Sequence, residues 1–158
     1  MQGSISAGDR LLIDELYPSL RRFAATVGSY DIEPDDLVQE AMVRTLRSRN
    51  LAELDNPKAY LCRAIVNIAS NQRRSFGRLR TALPRMGGDS ATTDVYPSDL
   101  GYLEALDPRA RAVLYLTEIE GYPFDEVADT IGVTSANARK IAERSRRQLR
   151  QLVEERAT

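Results

Sequence analysis

The sequence predicts an all-α protein with two small helical domains joined by a flexible linker. Apolar residues recur at three- and four-residue intervals through most of the 158 residues, which is the spacing of one helix face. This pattern is lost between about residues 76 and 98, where Pro, Gly, Ser and Thr dominate. Because so long a loop is unusual inside one compact domain, it is interpreted as a linker. We therefore place the domains at residues 1–75 and 100–158, with the linker at 76–99.

Three helices are predicted in the first domain. The first covers about residues 10–27, and Pro18 inside it predicts a kink or a break near Tyr17. The second begins at Pro34, a residue suited to the first helical turn, and runs to about residue 49. The third is capped by Asn56, opened by Pro57 and expected to end near residue 75.

The predicted third helix has two contrasting faces. Four polar residues spaced by four, four and three positions form one stripe: Arg63, Asn67, Asn71 and Arg74. The opposite face is apolar and is expected to pack inward: Tyr60, Leu61, Ala64, Ile65, Ile68 and Ala69. Cys62 lies near this apolar face and is interpreted as a small core residue.

The second domain has the pattern of a helix-turn-helix. Asp107 and Pro108 start its first main helix. A short helix follows and ends at Gly132, which supplies a turn that needs no Cβ. Thr134 or Ser135 then caps a longer basic helix. This geometry places a helix in the major groove of DNA, and the alternative is an ordinary helical hairpin with a solvated basic face.

The charge is unevenly distributed along the chain, although the net charge is only −1. Residues 1–56 carry a net charge of −4 and residues 82–134 a net charge of −7. Residues 57–81 carry +6 and residues 135–158 carry +4. Because salt screens phosphate attraction over roughly 10 Å, two separate DNA contacts are compatible with an acidic protein. The acidic segments are better suited to a protein partner.

The composition argues against catalysis. The chain has no His and a single Cys, and it lacks a Gly-rich phosphate loop or a nucleophile elbow. We therefore expect neither an enzyme nor a bound metal or cofactor. The lone Cys cannot form an internal disulfide, and the sequence shows no signal peptide or membrane-spanning stretch. We expect a cytoplasmic protein.

Three strings in the first domain resemble region two of a bacterial sigma factor. They are Leu16-Tyr-Pro-Ser-Leu-Arg-Arg-Phe-Ala, Asp35-Asp-Leu-Val-Gln-Glu and the segment from Asn56 that ends in Asn-Gln-Arg-Arg. The segment from Leu106 through Leu149 resembles region four. With no further regions present, the chain resembles the small extracytoplasmic-function group of the sigma-70 family.

The resemblance implies contact residues in region two. In the family, the second helix docks on a coiled coil of the β′ subunit of RNA polymerase, which implies Asp35, Asp36, Gln39 and Glu40 as the polymerase contact. The third helix and the loop at residues 50–56 open and read the −10 element, where an unstacked base is held in a protein pocket. The implied −10 contacts are Arg63, Asn67, Asn71, Arg73 and Arg74.

The resemblance also implies −35 contacts on the basic helix of region four: Asn137, Arg139, Lys140, Glu143, Arg144 and Arg146. Here the chain departs from the family's pattern, because the common start of the recognition helix is replaced by Ala136-Asn-Ala-Arg-Lys-Ile. This leaves the −35 preference unassigned. The linker resembles a connector that threads toward the polymerase active-site channel.

The expected function is that of a non-enzymatic transcription initiation factor. It would bind core RNA polymerase through the β′ and β subunits and direct it to promoter DNA. An anti-sigma factor is a further partner that the family implies. Two other classes stay open: a sigma-like decoy that binds an anti-sigma factor, and a stand-alone helix-turn-helix regulator.

Overall fold

The structure is all-α in the parts it describes. The computed structural model describes residues 4–29, 31–82 and 100–158, and every regular element in these ranges is helical. The predicted fold class is therefore confirmed. No helix in these ranges is long and apolar enough to cross a bilayer.

Three helices form the first half of the molecule. They are α1 (Ala7–Val27), α2 (Pro34–Leu46) and α3 (Pro57–Ala82), with a short 3₁₀ turn (Leu51–Glu53) before α3. Each helix packs against the other two. The core between them consists of apolar side chains that are at most 6% exposed, among them Leu20, Phe23, Val27, Leu37, Val38, Met42, Leu61, Ile65 and Ala69. The apolar spacing in the sequence thus gives the three buried faces.

Helix α1 continues through Pro18, so of the predicted kink or break near Tyr17 the break is wrong. Pro18 cannot donate a hydrogen bond to the carbonyl of Asp14, one turn earlier. Both residues are exposed, so water can satisfy the carbonyl that the proline leaves free. A proline on the solvent face therefore does not end this helix.

Helix α3 starts as predicted and ends later than predicted. The side chain of Asn56 accepts a hydrogen bond from the N–H of Ala59 at 3.0 Å, which caps the helix. The helix then runs to Ala82, beyond the expected end near residue 75. Its one internal glycine, Gly77, costs only about 1 kcal/mol relative to Ala, and this is too little to end a long helix.

The second half is a compact set of shorter helices followed by a long one. It contains α4 (Leu100–Leu103), α5 (Pro108–Leu114), a π-helical turn (Tyr115–Ile119), α6 (Phe124–Ile131) and α7 (Ser135–Ala157). Asp107 caps α5 by accepting the N–H of Ala110 at 2.8 Å. Residues 83–99, most of the predicted linker, lie outside the described residues, so the domain boundaries stay a prediction.

Helices α6 and α7 form the predicted helix-turn-helix. Gly132 ends α6 with a φ of 83°, the left-handed conformation in which only glycine is unstrained. The N–H groups of Gly132 and Val133 both donate to the carbonyl of Ala128, at 2.8 and 3.0 Å. Thr134 then accepts the N–H of Asn137 at 3.1 Å and caps α7. The glycine turn and the cap of α7 are therefore as the sequence predicts.

The two halves pack directly against each other. Helices α1 and α3 of the first half contact α5 of the second, and α3 also contacts α6. The rings of Phe23 and Tyr115 meet edge to face with centroids 5.7 Å apart. We call the whole surface along which these helices meet, from α1 and α3 to α5 and α6, the interdomain seam. It joins the cores of both halves into one apolar cluster.

Candidate nucleic-acid interface

The polar stripe of α3 is exposed, as the sequence predicted. Arg63, Asn67, Asn71 and Arg74 are all exposed, while Leu61, Ile65, Ile68 and Ala69 are buried on other faces of the helix. Arg74 donates to the side-chain oxygen of Asn71. We call these four exposed residues the α3 stripe. Amide and guanidinium groups in this arrangement suit base edges and phosphates.

Two arginines of α3 already contact the second half. Arg73 donates from its guanidinium to the carbonyl of Leu106. The guanidinium of Arg63 lies against the helix-turn-helix, because a Cβ placed on Gly132 would be 2.6 Å from its Nη2. Both arginines belong to the predicted −10 contacts. In the free chain, contacts with the second half fix the positions of their guanidinium groups.

A cleft of about 740 Å³ separates the α3 stripe from the start of α5. Asn67, Asn71 and Arg74 line one side, and Asp107 and Arg109 line the other. Three of these five side chains are amides or arginines on α3, and Arg109 adds a cation from the facing helix. Three of the four stripe residues thus line a polar cleft between the two halves.

A second concave surface lies beside the loop that precedes α3. It is a pocket of about 520 Å³, which we call the loop pocket, lined by Ser48, Arg49, Asn50, Glu53, Leu54 and Tyr60. Asn50 donates to the carboxylate of Glu53 at 3.2 Å. The Arg49 guanidinium lies 5.6 Å from the centre of the Tyr60 ring. An aromatic face beside hydrogen-bonding groups is what an unstacked base requires.

Tyr60 corrects the sequence analysis. The helical spacing predicts it on the buried apolar face of α3, but it is 37% exposed and lines the loop pocket. It sits in the first turn of α3, where the preceding loop curves beside the helix, so its position depends on the loop and not on helical periodicity. Val66, which the predicted face omitted, is buried instead.

The acidic start of α2 contains one engaged carboxylate and several exposed polar groups. The Tyr17 hydroxyl donates to Asp35 at 2.6 Å, and Arg21 donates to the same oxygen at 3.1 Å. The hydrogen bond from Tyr17 is the main cause that lowers the pKa of Asp35, and the charge of Arg21 adds to it. Asp36, Gln39 and Glu40 are exposed, and Glu40 pairs with Arg44 at 2.8 Å. This face can present acidic groups to a basic partner.

Helix α7 exposes all six residues that were predicted to contact the −35 element: Asn137, Arg139, Lys140, Glu143, Arg144 and Arg146. The Arg139 guanidinium lies 5.5 Å from the centre of the Phe124 ring on α6. Glu143 pairs with Arg147 at 2.9 Å, and Arg146 pairs with Glu118. The exposed face agrees with a helix that enters a DNA groove, and the individual base contacts stay predictions.

The interdomain seam contains polar groups that the sequence does not predict. Arg111 is only 2% exposed and donates to the carbonyls of Gly28 at 2.7 Å and Leu106 at 3.0 Å. Burial lowers the pKa of its guanidinium, and the charge of Glu104 opposes this. An arginine near the start of a helix is normally expected to be solvent-exposed. No signal in the sequence therefore distinguishes the buried Arg111 from a surface arginine.

Lys58 forms a further polar contact of the seam. Its ammonium lies 3.3 Å from the Glu120 carboxylate and 3.4 Å from the Tyr122 hydroxyl. Burial by itself would lower the pKa of Lys58, but the attraction of Glu120 and Tyr122 outweighs it, so the pKa is raised. The seam therefore has a charged pair at its edge and a buried guanidinium within it.

Comparison with known proteins identifies both halves. Residues 12–79 match the family Sigma-70 region 2, and residues 102–151 match Sigma-70, region 4. The first half is thus a region-two helical unit and the second a region-four helix-turn-helix unit. The chain belongs to the sigma-70 family, in its extracytoplasmic-function (ECF) group. The predicted resemblance is confirmed.

Two relatives illustrate the similarity. The probable ECF RNA polymerase sigma factor SigI of Mycobacterium tuberculosis is 31% identical over 134 aligned residues, which covers 73% of this chain and 45% of that protein. The ECF RNA polymerase sigma factor SigE of Mycolicibacterium smegmatis is 28% identical over 141 aligned residues, covering 82% of this chain and 55% of that protein. The chain spans about half the length of these relatives.

A solved structure shows the same fold. It is the sigma factor RpoE in complex with the anti-sigma factor NepR from Bartonella quintana, with a TM-score of 0.70 and 21% identity. The similarity covers 94% of this chain and 98% of that chain. At this level of identity, the likeness concerns the fold.

Proposed function

We propose that this protein is a promoter-specificity subunit of RNA polymerase. The observation that carries the proposal is the pair of exposed polar helix faces, the α3 stripe and the outer face of α7, on one chain that matches both sigma regions. It acts by binding and not by catalysis. Its partners are core RNA polymerase and promoter DNA, so its place of action is the cytoplasm.

In this proposal, α2 binds the polymerase. Asp36, Gln39 and Glu40 are exposed and would contact a basic surface of the β′ subunit. Asp35 contributes a carboxylate that Tyr17 and Arg21 hold in one orientation. A fixed carboxylate loses less side-chain entropy on binding than a mobile one.

Two separate surfaces then read the promoter. The α3 stripe, together with the neighbouring Arg73, holds the phosphates and base edges of the −10 element, and the loop pocket receives an unstacked base. Helix α7 reads the −35 element as duplex, where Arg139 and Lys140 suit guanine and Glu143 suits cytosine. An anti-sigma factor is a further proposed partner, since the structural neighbour is a sigma factor in complex with the anti-sigma factor NepR.

The polymerase contact is tested by charge reversal. Purified core polymerase is titrated with the protein and with its Asp36→Arg variant, and Kd is measured. We expect affinity to fall by about tenfold or more, because a like charge then faces the basic partner surface. Glu15→Arg, an exposed acidic residue on α1, is the matched control and keeps the wild-type Kd. Equal Kd values for all three proteins would contradict the proposed contact.

A further inference from the structure

Asp9 is a buried carboxylate that the proposed contacts do not use. It lies in the first turn of α1 and is 1% exposed. Acidic side chains are almost never fully buried unless a partner satisfies them. The partner here is the backbone N–H of Ala52, which donates to Asp9 at 2.9 Å from 43 positions further along the chain. A long-range contact of this kind fixes the start of α1 to the loop before α3.

Ala52 is the middle residue of the 3₁₀ turn that forms the wall of the loop pocket. The turn is anchored on one side by Leu51, whose side chain is fully buried. Gly8 lies behind it, since a Cβ there would be 3.8 Å from the Cβ of Ala52. With the back of the turn held in this way, Asn50 and Glu53 face the loop pocket.

The turn has little stability of its own. Its internal backbone bonds run from Glu53 to Asn50 and from Leu54 to Leu51, both at 3.2 Å. Such three-residue 3₁₀ turns have poor hydrogen-bond geometry. A site that discriminates between bases needs its groups held within about 0.5 Å. The shape of the pocket wall must therefore come from contacts outside the turn.

We propose that Asp9 is a positioning residue that holds the loop pocket in the shape that receives an unstacked promoter base. This inference rests on the proposed function. Asp9 touches no nucleotide itself, and it acts through the Ala52 amide on Asn50 and Glu53. Its loss therefore affects recognition of the −10 element and not the polymerase contact or the −35 contact.

The positioning role of Asp9 can be tested separately from any role of this residue in starting α1. The helix cap is Ser6, whose hydroxyl accepts the N–H of Asp9 at 3.1 Å. Ser6→Ala removes the cap and leaves the Asp9 carboxylate on Ala52, so it is the matched control. Asp9→Ala removes the anchor, and Asp9→Asn keeps an oxygen that can accept the Ala52 N–H.

The anchor is tested first by amide hydrogen exchange on the full-length chain. Asp9→Ala should speed exchange of the Ala52 N–H by about tenfold to a hundredfold, because a hydrogen bond to a buried carboxylate is lost. Ser6→Ala should leave that rate near the wild-type value. If Asp9→Ala does not fold, Asp9→Asn carries the test with a smaller increase, since a neutral oxygen is a weaker acceptor. An exchange rate of the Ala52 N–H that these Asp9 variants leave unchanged would contradict the proposal that Asp9 anchors the turn.

The role in recognition is tested with core polymerase and forked promoter DNA. Single-base changes are made at the unpaired −10 position, and 2-aminopurine fluorescence reports the flipped base. Asp9→Ala should lose most of the wild-type base preference at unchanged affinity for core polymerase, whereas Ser6→Ala keeps the preference. Equal losses in both variants would overturn the proposal. A wild-type protein with no base preference would instead refute the proposed function, while the exchange result still decides the anchor.

Discussion

Individual hydrogen bonds determine which of the predicted contact residues are held by neighbouring side chains and which stay free to meet a partner. Asp35 is the clearest case, because Tyr17 and Arg21 hold one of its oxygens while Asp36 beside it stays exposed. The two adjacent aspartates are equivalent in the sequence. Their difference arises from α1, which lies beside α2 only after folding.

Tyr17→Phe should raise the pKa of Asp35 toward its ordinary value of 3.8, because the hydroxyl that stabilises the carboxylate is removed. The folded-state pKa of Asp35 is lowered, so its stabilising contribution is present above the ordinary pKa and is lost as the pH falls through the folded value. The measurement is a carbon NMR titration of the Asp35 carboxyl. Conversely, Asp35→Asn should lower the raised pKa of Tyr17 toward 10.0. A pKa of Asp35 that Tyr17→Phe does not move would contradict the hydrogen bond.

Cys62 should be nearly inert in the folded protein. It is 1% exposed, and burial raises the pKa of its thiol to about 12. At pH 8 the thiolate fraction is then on the order of one part in ten thousand. Iodoacetamide should label the native chain very slowly and the urea-unfolded chain rapidly. Fast labelling of the native protein would contradict the burial of this residue.

At the residue scale, the sequence predicts exposure better than it predicts partners. The α3 stripe and the basic face of α7 are exposed where the helical spacing placed them. Tyr60 and Arg111 were not predictable from helical periodicity, because the loop before α3 surrounds Tyr60 and the carbonyl of Gly28, far away in the chain, accepts from Arg111. Periodicity assigns a side chain to one face of its own helix, and it carries no information about which other segment covers that face.

At the scale of single elements, the ends of the helices follow local chemistry. Asn56, Asp107 and Thr134 each cap the helix that their sequence position predicted. The continuity of α1 through Pro18 and the late end of α3 were not predicted. Water can satisfy the carbonyl that Pro18 leaves free on the solvent face of α1, and one glycine costs too little to end a helix as long as α3.

Gly132→Ala and Gly121→Ala form a matched pair that tests the turn. Both glycines have positive φ, 83° and 71°, so each substitution should cost about 1–2 kcal/mol of unfolding free energy from backbone strain. A Cβ at Gly121 has open space around it, whereas a Cβ at Gly132 meets the Arg63 guanidinium. Chemical denaturation should therefore show similar losses, because the long Arg63 side chain can move aside. NMR should show movement of Arg63 in Gly132→Ala alone, and an unmoved Arg63 would contradict the contact.

At the scale of the whole molecule, the free chain is closed. The interdomain seam joins both halves, and the α3 stripe faces α5 across the cleft. A side chain exposed to water in this cleft is not thereby accessible to a DNA strand. We therefore expect the halves to separate before the −10 contacts form. The sequence identified both halves but gave no indication of their contact, because the arginine and lysine that join them are indistinguishable from surface residues.

Arg111→Met should loosen the seam. It keeps a long side chain but leaves the carbonyl of Gly28 without its guanidinium partner, at a cost of about 1–3 kcal/mol for the unsatisfied group, while the Leu106 carbonyl keeps Arg73. Cys62 lines the cavity between α3 and the second half, so its alkylation rate reports opening. We expect faster labelling with unchanged helix content by circular dichroism.

The control for this change is Arg109→Met, which alters an exposed arginine on the same helix. It should leave the labelling rate of Cys62 at the wild-type value. If both variants label at the wild-type rate, the Arg111 hydrogen bonds do not hold the halves together. If both label faster, the effect is general destabilisation of α5 and not loss of the seam.

The most direct test of the account is run-off transcription with purified core RNA polymerase, this protein and a library of promoter-like templates. The account predicts transcripts that appear only when the protein is added and disappear with the double variant Asn67→Ala, Arg74→Ala. Arg22→Ala, an exposed arginine on α1, should retain them. The absence of any protein-dependent transcript, together with no binding to core polymerase, would contradict the central claim and favour a decoy for an anti-sigma factor or a stand-alone DNA-binding regulator.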